Sequence, residues 1–126
     1  MTQEARRVLI VEDDPVFMKL LSTMLRTKGI AVQPAFSAED ALQILTQQSF
    51  DVLITDLKME GLGGVGLIRS VQYNGCFPIN RIIVITGEPD TSKDSVWIKT
   101  QKIPILRKPF TLRSLLHLVD SIVQAA

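Results

Sequence analysis

Cysteine is almost absent from the sequence, and long apolar runs are missing. Cys76 is the single cysteine, so no disulfide can form within the chain, and a reducing compartment is the natural home of such a protein. No stretch approaches the ~20 apolar residues that a membrane-spanning helix needs. The apolar run at residues 8–11 is too short for a signal peptide, and acids follow it at once. These absences predict a cytoplasmic protein with no membrane partner, in which Cys76 is an incidental loop thiol.

A large excess of charge is missing too, because the formal net charge is +1 at pH 7. A nearly neutral chain has no global field that would recruit nucleic acid or an anionic membrane. The sequence also shows nothing like a DNA-binding element, so no direct nucleic-acid partner is expected. At 126 residues, with 46% hydrophobic residues, the chain has the size and composition of one ordinary globular domain.

What the sequence does contain is a set of short apolar runs with the length and composition of buried strands. They are apolar on both faces, which is typical of strands covered by helices on both sides of a sheet. A weaker run, GIAVQPA at 29–35, is expected at a sheet edge because Pro34 would interrupt a central ladder. The four stronger runs are VLIV at 8–11, DVLIT at 51–55, RIIVIT at 81–86 and IPIL at 103–106.

Helical patterns alternate with these strands, and three of them have a residue suited to cap the first turn. Asp14 precedes Pro15, Ser37 precedes the second pattern, and Thr111 precedes the last. Residues 87–102 form the poorest helical pattern, because their apolar residues are consecutive rather than spaced. The alternation predicts an α/β domain whose parallel sheet is joined by right-handed crossovers.

Polar side chains gather where the predicted strands end. Glu12 and Asp13 follow the first strand and Asp56 ends the third, so three carboxylates are expected to converge if those strands are neighbours. Crowded carboxylates are costly without a cation, and a hard divalent ion is the simplest resolution, for which Mg²⁺ is predicted. Thr86 and Lys108 add a hydroxyl and an ammonium at the same rim. This combination predicts phosphoryl transfer onto Asp56.

Four segments in this order resemble the receiver domain of bacterial two-component response regulators, over about residues 6–124. They are VLIVEDDP, DVLITDLKMEGLGG, RIIVITG and LRKPF. The resemblance implies one receiver domain with a flavodoxin-like, doubly wound fold: a five-stranded parallel sheet in the order 2-1-3-4-5, with five helices. It also implies a signalling phosphoacceptor rather than an enzyme, apart from self-phosphorylation and slow autodephosphorylation.

The resemblance further implies a role for each matching residue. Asp56 would accept a phosphoryl group from a sensor histidine kinase or a phosphotransfer protein. Asp13 and Asp56 would bind Mg²⁺, for which Mn²⁺ could substitute, with Glu12 acting through a water and Lys58 through its backbone carbonyl. Thr86 and Lys108 would contact the phosphoryl oxygens, and the peptide bond before Pro109 would be cis. The signal would pass to a downstream protein target or an attached output domain.

The sequence departs from the family pattern after the phosphoacceptor and near the last strand. Glu60 stands where a proline is usual, and Ile105 stands where many receivers carry an aromatic switch residue.

Gln101 and Lys102 replace a usual Gly-Ala pair, which predicts an unusual face around helix 4, strand 5 and helix 5. That face commonly mediates dimerisation or target binding, and Trp97 on it is either a partly buried packing residue or an exposed contact. His117, on the last helix, is expected at the surface.

Lys58 and Glu88 lie two residues beyond Asp56 and Thr86, respectively. We hypothesise that they form an ion pair across the mouth of the site and lengthen the phosphorylated lifetime by hindering water.

Two other functions are open at this stage. A haloacid-dehalogenase-type phosphatase is disfavoured because Lys58 stands where its general acid is needed. A pseudo-receiver, a protein-interaction scaffold that is never phosphorylated, is the alternative that the altered loop and face leave open.

Overall fold

The computed structural model describes residues 6–125, whose five strands form one parallel sheet. The order is β2-β1-β3-β4-β5, which confirms the predicted topology and places β2, with Pro34, at an edge. The last strand begins two residues later than predicted, because residues 103–104 still belong to the connection from the preceding helix. The strands are β1 (Arg7–Val11), β2 (Ala31–Ala35), β3 (Val52–Asp56), β4 (Ile82–Thr86) and β5 (Ile105–Arg107).

Five α-helices connect and follow the strands, with a short 3-10 helix, Ile79–Arg81, before β4. The predicted caps are present: Asp14 accepts from the Val16 amide at 3.0 Å, Ser37 from the Asp40 amide at 3.0 Å and Thr111 from the Ser114 amide at 3.1 Å. The helices are α1 (Pro15–Arg26), α2 (Ala38–Leu45), α3 (Gly63–Asn74), α4 (Lys93–Thr100) and α5 (Leu112–Ala125).

Residues 87–102, the poorest helical pattern of the sequence, contain a regular helix. Helix α4 is short but regular, and Ser92 caps it by accepting a hydrogen bond from the Ser95 amide at 3.1 Å. Its inward face consists of Ser95 and Ile98, three residues apart, so the consecutive apolar pattern misrepresents which side chains point inward. Trp97 is half-buried against the core, which agrees with the packing interpretation.

Two apolar layers cover the sheet, one on each face. Helices α2, α3 and α4 pack on one face and α1 and α5 on the other, so successive residues of β1, β3 and β4 enter opposite layers. This explains why those strands are apolar throughout. His117 is exposed, as predicted, and Cys76 is an exposed thiol between α3 and the 3-10 helix, which agrees with the predicted loop position. Across residues 6–125, no helix has the length and apolar character needed to cross a membrane.

The parallel register brings the carboxyl ends of the four strands β1, β3, β4 and β5 to one edge. Val11 pairs with Thr55, Asp56 with Ile85, and Thr86 with Arg107. The residues that end or immediately follow these strands therefore meet at the same rim, although the chain separates them by up to about a hundred positions.

Candidate functional site

Asp56 is the last residue of β3 and is almost buried, with 8% of its surface exposed. Each of its carboxylate oxygens has a donor: the Lys58 amide donates to Oδ1 at 3.1 Å, and the Lys108 ammonium donates to Oδ2 at 2.8 Å. The strand end fixes the backbone, and the two donors fix the carboxylate. The Asp56 carboxylate is thus held in one orientation at the end of a buried strand.

Lys108 connects the last strand to the acidic side of the site. Its amide donates to the Thr86 carbonyl at 2.8 Å, and its ammonium lies 2.8 Å from Asp56 Oδ2 and 3.4 Å from Glu12 Oε1. Burial acts to lower the pKa of Lys108, but the hydrogen bond to Asp56 and the charges of both acids outweigh it, so the pKa is raised. The Lys108–Pro109 bond is cis, as predicted.

Glu12 is more buried than Asp56, with 3% of its surface exposed. Burial raises its pKa from the ordinary 4.5 to about 7; the hydrogen bond from the Asp14 amide lowers it, and neighbouring Asp56 raises it further. The Asp14 amide lies 3.1 Å from Glu12 Oε2. Glu12 and Asp56 therefore share one ammonium, and the site carries more negative charge than its own cation neutralises.

Asp13 lies at the outer side of the site. It is exposed, and its Oδ2 accepts a long hydrogen bond of 3.4 Å from the Glu60 amide in the loop after Asp56. The expected convergence of three carboxylates is therefore only partial: Lys108 joins Glu12 and Asp56, whereas Asp13 contacts the neighbouring loop. Across residues 6–125, no group of three or more His, Cys, Asp or Glu side chains is arranged to hold a metal ion.

The chemistry of the donor set nevertheless fits a hard divalent cation. The groups at the rim are carboxylate oxygens and backbone carbonyls, which Mg²⁺ prefers, and magnesium takes only one or two protein carboxylates while keeping waters. In their ionised forms, Glu12 and Asp56 share the Lys108 ammonium, so this edge keeps negative charge that its own cation does not neutralise. A cation bound by Asp13, Asp56 and the Lys58 carbonyl would neutralise it.

Thr86 closes β4 and is fully buried. Its hydroxyl oxygen accepts a hydrogen bond from the Glu88 amide at 2.9 Å, so its lone pair is directed into the loop between β4 and α4. The Lys58 ammonium lies 3.2 Å from Glu88 Oε1, which confirms the predicted ion pair beside Asp56. The effect of this pair on phosphorylated lifetime stays a prediction.

The loop after Asp56 folds tightly back on the strand end. A Cβ atom added at Gly64 would lie 2.3 Å from the Asp56 carbonyl oxygen, much closer than real Cβ contacts. The start of α3 can therefore approach the backbone of Asp56 only because residue 64 has no side chain. Gly64 is thus a structural requirement of this close approach.

Two contact sets at this edge were missed from the sequence. Arg107 donates to the Glu88 carbonyl and to the Asp90 carboxylate, which Lys99 also approaches at 3.2 Å. On the opposite side, the Lys108 ammonium lies 4.2 Å from the centre of the Phe17 ring. Both positions stand out in the sequence, since Arg107 adjoins Lys108 and Phe17 lies in the first turn of α1. Their contact partners could not be predicted, because these depend on side-chain directions across the fold.

The position of the usual aromatic switch residue is occupied by Ile105, which is half-buried. Its side chain packs against the apolar layer that includes Ile98 of α4. An aliphatic residue is thus built into the core at this point of β5. The loop between β4 and α4 is instead held from β5 by Arg107, through Glu88 and Asp90.

Comparison with known proteins agrees with this fold. Residues 8–120 match the response regulator receiver domain family, so the chain belongs to that family. The PilH protein of Pseudomonas aeruginosa is 30% identical over 118 residues, covering 93% of this chain and 97% of PilH. The solved structure of FixJ-N superimposes with a TM-score of 0.86 at 28% identity, covering 99% of this chain and 98% of that one.

A third relative is longer than this chain. The probable transcriptional regulator ycf27 of Cyanidium caldarium is 31% identical over 117 residues, which cover 93% of this chain and 46% of that protein. Several curated relatives share this relation, since the chain spans about half or less of their length. Similarity to them therefore concerns the receiver portion.

Proposed function

We propose that this receiver domain is a phosphorylation switch in two-component signalling, with Asp56 as the phosphoacceptor. The observation that carries the proposal is the pairing of Asp56 with Lys108 at 2.8 Å, beside buried Glu12, at the carboxyl edge of the sheet. A carboxylate held between an ammonium and an amide is oriented for attack, and the ammonium can balance charge on an incoming phosphoryl group.

In the proposed step, a carboxylate oxygen of Asp56 attacks the phosphorus of a phosphohistidine on a histidine kinase or phosphotransfer protein. The new oxygen–phosphorus bond forms as the phosphorus–nitrogen bond breaks, and the imidazole nitrogen leaves with the electron pair. Lys108 moves its contact from the carboxylate to the phosphoryl oxygens, and the Thr86 hydroxyl turns from the Glu88 amide to donate to them. Hydrolysis reverses the state when water attacks phosphorus and the Asp56 carboxylate leaves.

The proposed cofactor is Mg²⁺, with Mn²⁺ as a substitute. Asp13, Asp56 and the Lys58 backbone carbonyl would hold it directly, and Glu12 would act through a water. When bound, the cation neutralises charge on the phosphoryl oxygens and on the crowded acids. The remaining chemistry belongs to the chain's own residues: Asp56 attacks, Lys108 balances charge and Thr86 fixes the product.

Phosphoryl uptake can be measured directly. The chain is incubated with acetyl phosphate, or with a phosphorylated kinase, in the presence of Mg²⁺, and its intact mass is followed. We expect the mass of one phosphoryl group to be added, uptake to stop with a chelator, and Asp56→Asn to abolish it. Uptake that persists in Asp56→Asn would place the acceptor elsewhere.

The alternative is a pseudo-receiver that acts through protein contacts without phosphorylation. Two observations favour this alternative function. Glu60 stands in place of the usual proline, and Ile105 stands in place of the aromatic switch residue. The same mass measurement separates the two functions, since a pseudo-receiver would gain no mass under any donor.

The proposed output is a protein contact made by the face formed by α4, β5 and α5. Val96 on this face is 50% exposed, while Trp97 beside it is held by the Arg69 guanidinium, 4.4 Å from the ring centre. The partner is either a downstream protein, an output domain or a second copy of the chain. Sedimentation before and after phosphorylation tests the last, and an unchanged monomer would exclude it.

A further inference from the structure

The aromatic ring of Phe17 forms one wall of the phosphoacceptor site. The Lys108 ammonium lies 4.2 Å from the ring centre, well within the ~6 Å at which a cation and an aromatic face attract each other. Phe17 is half-buried on α1, and the ring of Phe110 meets it at 6.2 Å with an interplanar angle of 89°. This edge contact restricts the orientation of the Phe17 ring.

The ring complements the other contacts of Lys108. Asp56 and Glu12 attract the ammonium through its N–H groups, at 2.8 and 3.4 Å, whereas the ring face attracts it without using a lone pair or a hydrogen-bond acceptor. A lysine side chain is a flexible four-carbon stem with a strongly hydrated charge. Without a wall, that charge would have solvent on the side where Phe17 now lies.

We propose that Phe17 is a positioning residue for phosphoryl transfer, whose ring face holds the Lys108 ammonium where it can pass from the Asp56 carboxylate to the incoming phosphoryl oxygens. This inference rests on the proposed function of Asp56. It assigns to α1 a part in positioning Lys108, in addition to the acids that precede the helix.

A purely structural role for Phe17 makes a different prediction. Phe17 also packs against the apolar layer formed by α1 and α5. If packing were its whole contribution, shape and apolarity would matter and the electron density of the ring would not. Fluorine atoms on the ring withdraw electron density from its face while nearly preserving its size, so they separate the two roles.

The test places phenylalanine with one, two or three ring fluorines at position 17 of the full chain by amber suppression. Initial rates of phosphoryl uptake from acetyl phosphate with Mg²⁺ are measured by intact mass, and affinity for beryllium fluoride, a stable phosphoryl mimic, is measured in parallel. We expect both to fall stepwise, by about three- to tenfold over the series, as a cation–π contact is weakened. The rate of Phe17→Leu should match that of the trifluorinated variant, because neither offers an electron-rich ring face. The rate of Phe17→Trp should stay close to that of the unsubstituted chain.

The chain offers a matched control at the other end of the sheet. The Arg7 guanidinium lies 5.0 Å from the centre of the Phe50 ring, which is also a cation over an aromatic face. The same fluorinated series at Phe50 should leave uptake and beryllium fluoride affinity unchanged. Thermal unfolding of every variant shows whether a rate change accompanies a loss of fold.

Nuclear magnetic resonance supplies a readout that does not need phosphorylation. A ring at this distance should shift the Lys108 ε-methylene protons upfield, and Phe17→Leu should remove the shift. An unshifted Lys108 signal, or a flat fluorinated series on a chain that takes up phosphoryl groups, would overturn the positioning role alone. A chain that takes up no phosphoryl group under any donor would overturn the proposed function and the positioning role together.

Discussion

The two ends of the sheet carry the same kinds of groups in different proportions. At the amino end, Arg7 lies over the Phe50 ring, its amide donates to Asp51 at 2.8 Å, and its guanidinium donates to Gln48 at 2.7 Å. At the carboxyl end, Lys108 lies over the Phe17 ring and donates to Asp56. A cation, a carboxylate and a ring therefore occur together at both ends.

The difference is the number of acids for each cation and their burial. Arg7 is exposed, and within residues 6–125 only its backbone amide binds a carboxylate. The Lys108 ammonium contacts two almost fully buried acids, and burial raises the pKa of one of them, Glu12, to about 7. Excess buried negative charge is costly unless a ligand compensates it. The charge balance, rather than the kinds of residues, distinguishes the candidate site from ordinary surface pairing.

The largest effect is expected from removing the cation at the carboxyl end, with removal of the cation at the amino end as the control. Lys108→Met should lower the rate of phosphoryl uptake by about 10²-fold, the usual scale for losing one preorganised charge-stabilising group. Arg7→Met should leave that rate unchanged. Uptake followed by intact mass, with unfolding curves for both variants, checks the comparison; equal losses in both would mean that the excess acid at the carboxyl end has no special role.

The next effect concerns the close approach of backbone at the carboxyl end. Gly64→Ala would place a Cβ atom 2.3 Å from the Asp56 carbonyl oxygen, so the start of α3 must move. We expect the free energy of unfolding to fall by about 2–4 kcal/mol, in the range of severe steric changes. Gly87→Ala is the control, because a Cβ atom there meets nothing within 4 Å. Urea unfolding should show a change only for Gly64→Ala.

A smaller effect is expected in the pH dependence of stability without divalent cations. Because burial raises the pKa of Glu12 from 4.5 to about 7, the folded chain keeps a proton that the unfolded chain has released between those values. The free energy of unfolding contributed by this group therefore falls as pH rises from about 4.5 to 7. Glu12→Gln should remove that part of the fall and be most stabilising near pH 8.

Urea unfolding from pH 4 to 8 measures this directly. Asp51→Asn, at the amino end, should keep the fall that Glu12→Gln removes. Saturating Mg²⁺ should stabilise the unsubstituted chain at pH 8 more than at pH 5, because protons compete for the same acids. A Glu12→Gln curve parallel to that of the unsubstituted chain would show that the group does not titrate in this range.

The smallest effect is expected from the Lys58–Glu88 ion pair. Lys58 is largely exposed and the two charges are 3.2 Å apart, a geometry worth only ~0–1 kcal/mol. Replacing both residues with Ala should speed autodephosphorylation by about two- to threefold, because the mouth of the site opens to water. Lys99→Ala removes another surface ion pair of the same length and should leave the rate unchanged. An unchanged rate in the double variant rejects the hypothesis.

The sequence predicted features that follow from strand order and periodicity. Asp56 and Lys108 could be brought together from the sequence because both follow apolar runs, and parallel strands end at one edge. The edge position of β2 followed from Pro34, since proline cannot donate to a central ladder. These features depend on backbone rules that hold whatever the neighbouring side chains do.

What the sequence did not predict depends on side-chain directions in three dimensions. Asp13 was expected to join Glu12 and Asp56, but its carboxylate reaches the Glu60 amide instead. The contact between Phe17 and Lys108 joins residues far apart in the chain, and it depends on where the fold places the first turn of α1. No local pattern encodes that placement.

Residues Arg107 and Lys108 are neighbours in sequence with separate partners. Arg107 donates to the Glu88 carbonyl and to Asp90, while Lys108 donates to Asp56. A displacement of Arg107 and Lys108 by a fraction of an ångström would therefore change the contacts of Asp56 and those of the segment leading into α4. Arg107 and Lys108 thus link the contacts of Asp56 to those of the segment before α4 through one peptide unit, without an aromatic side chain.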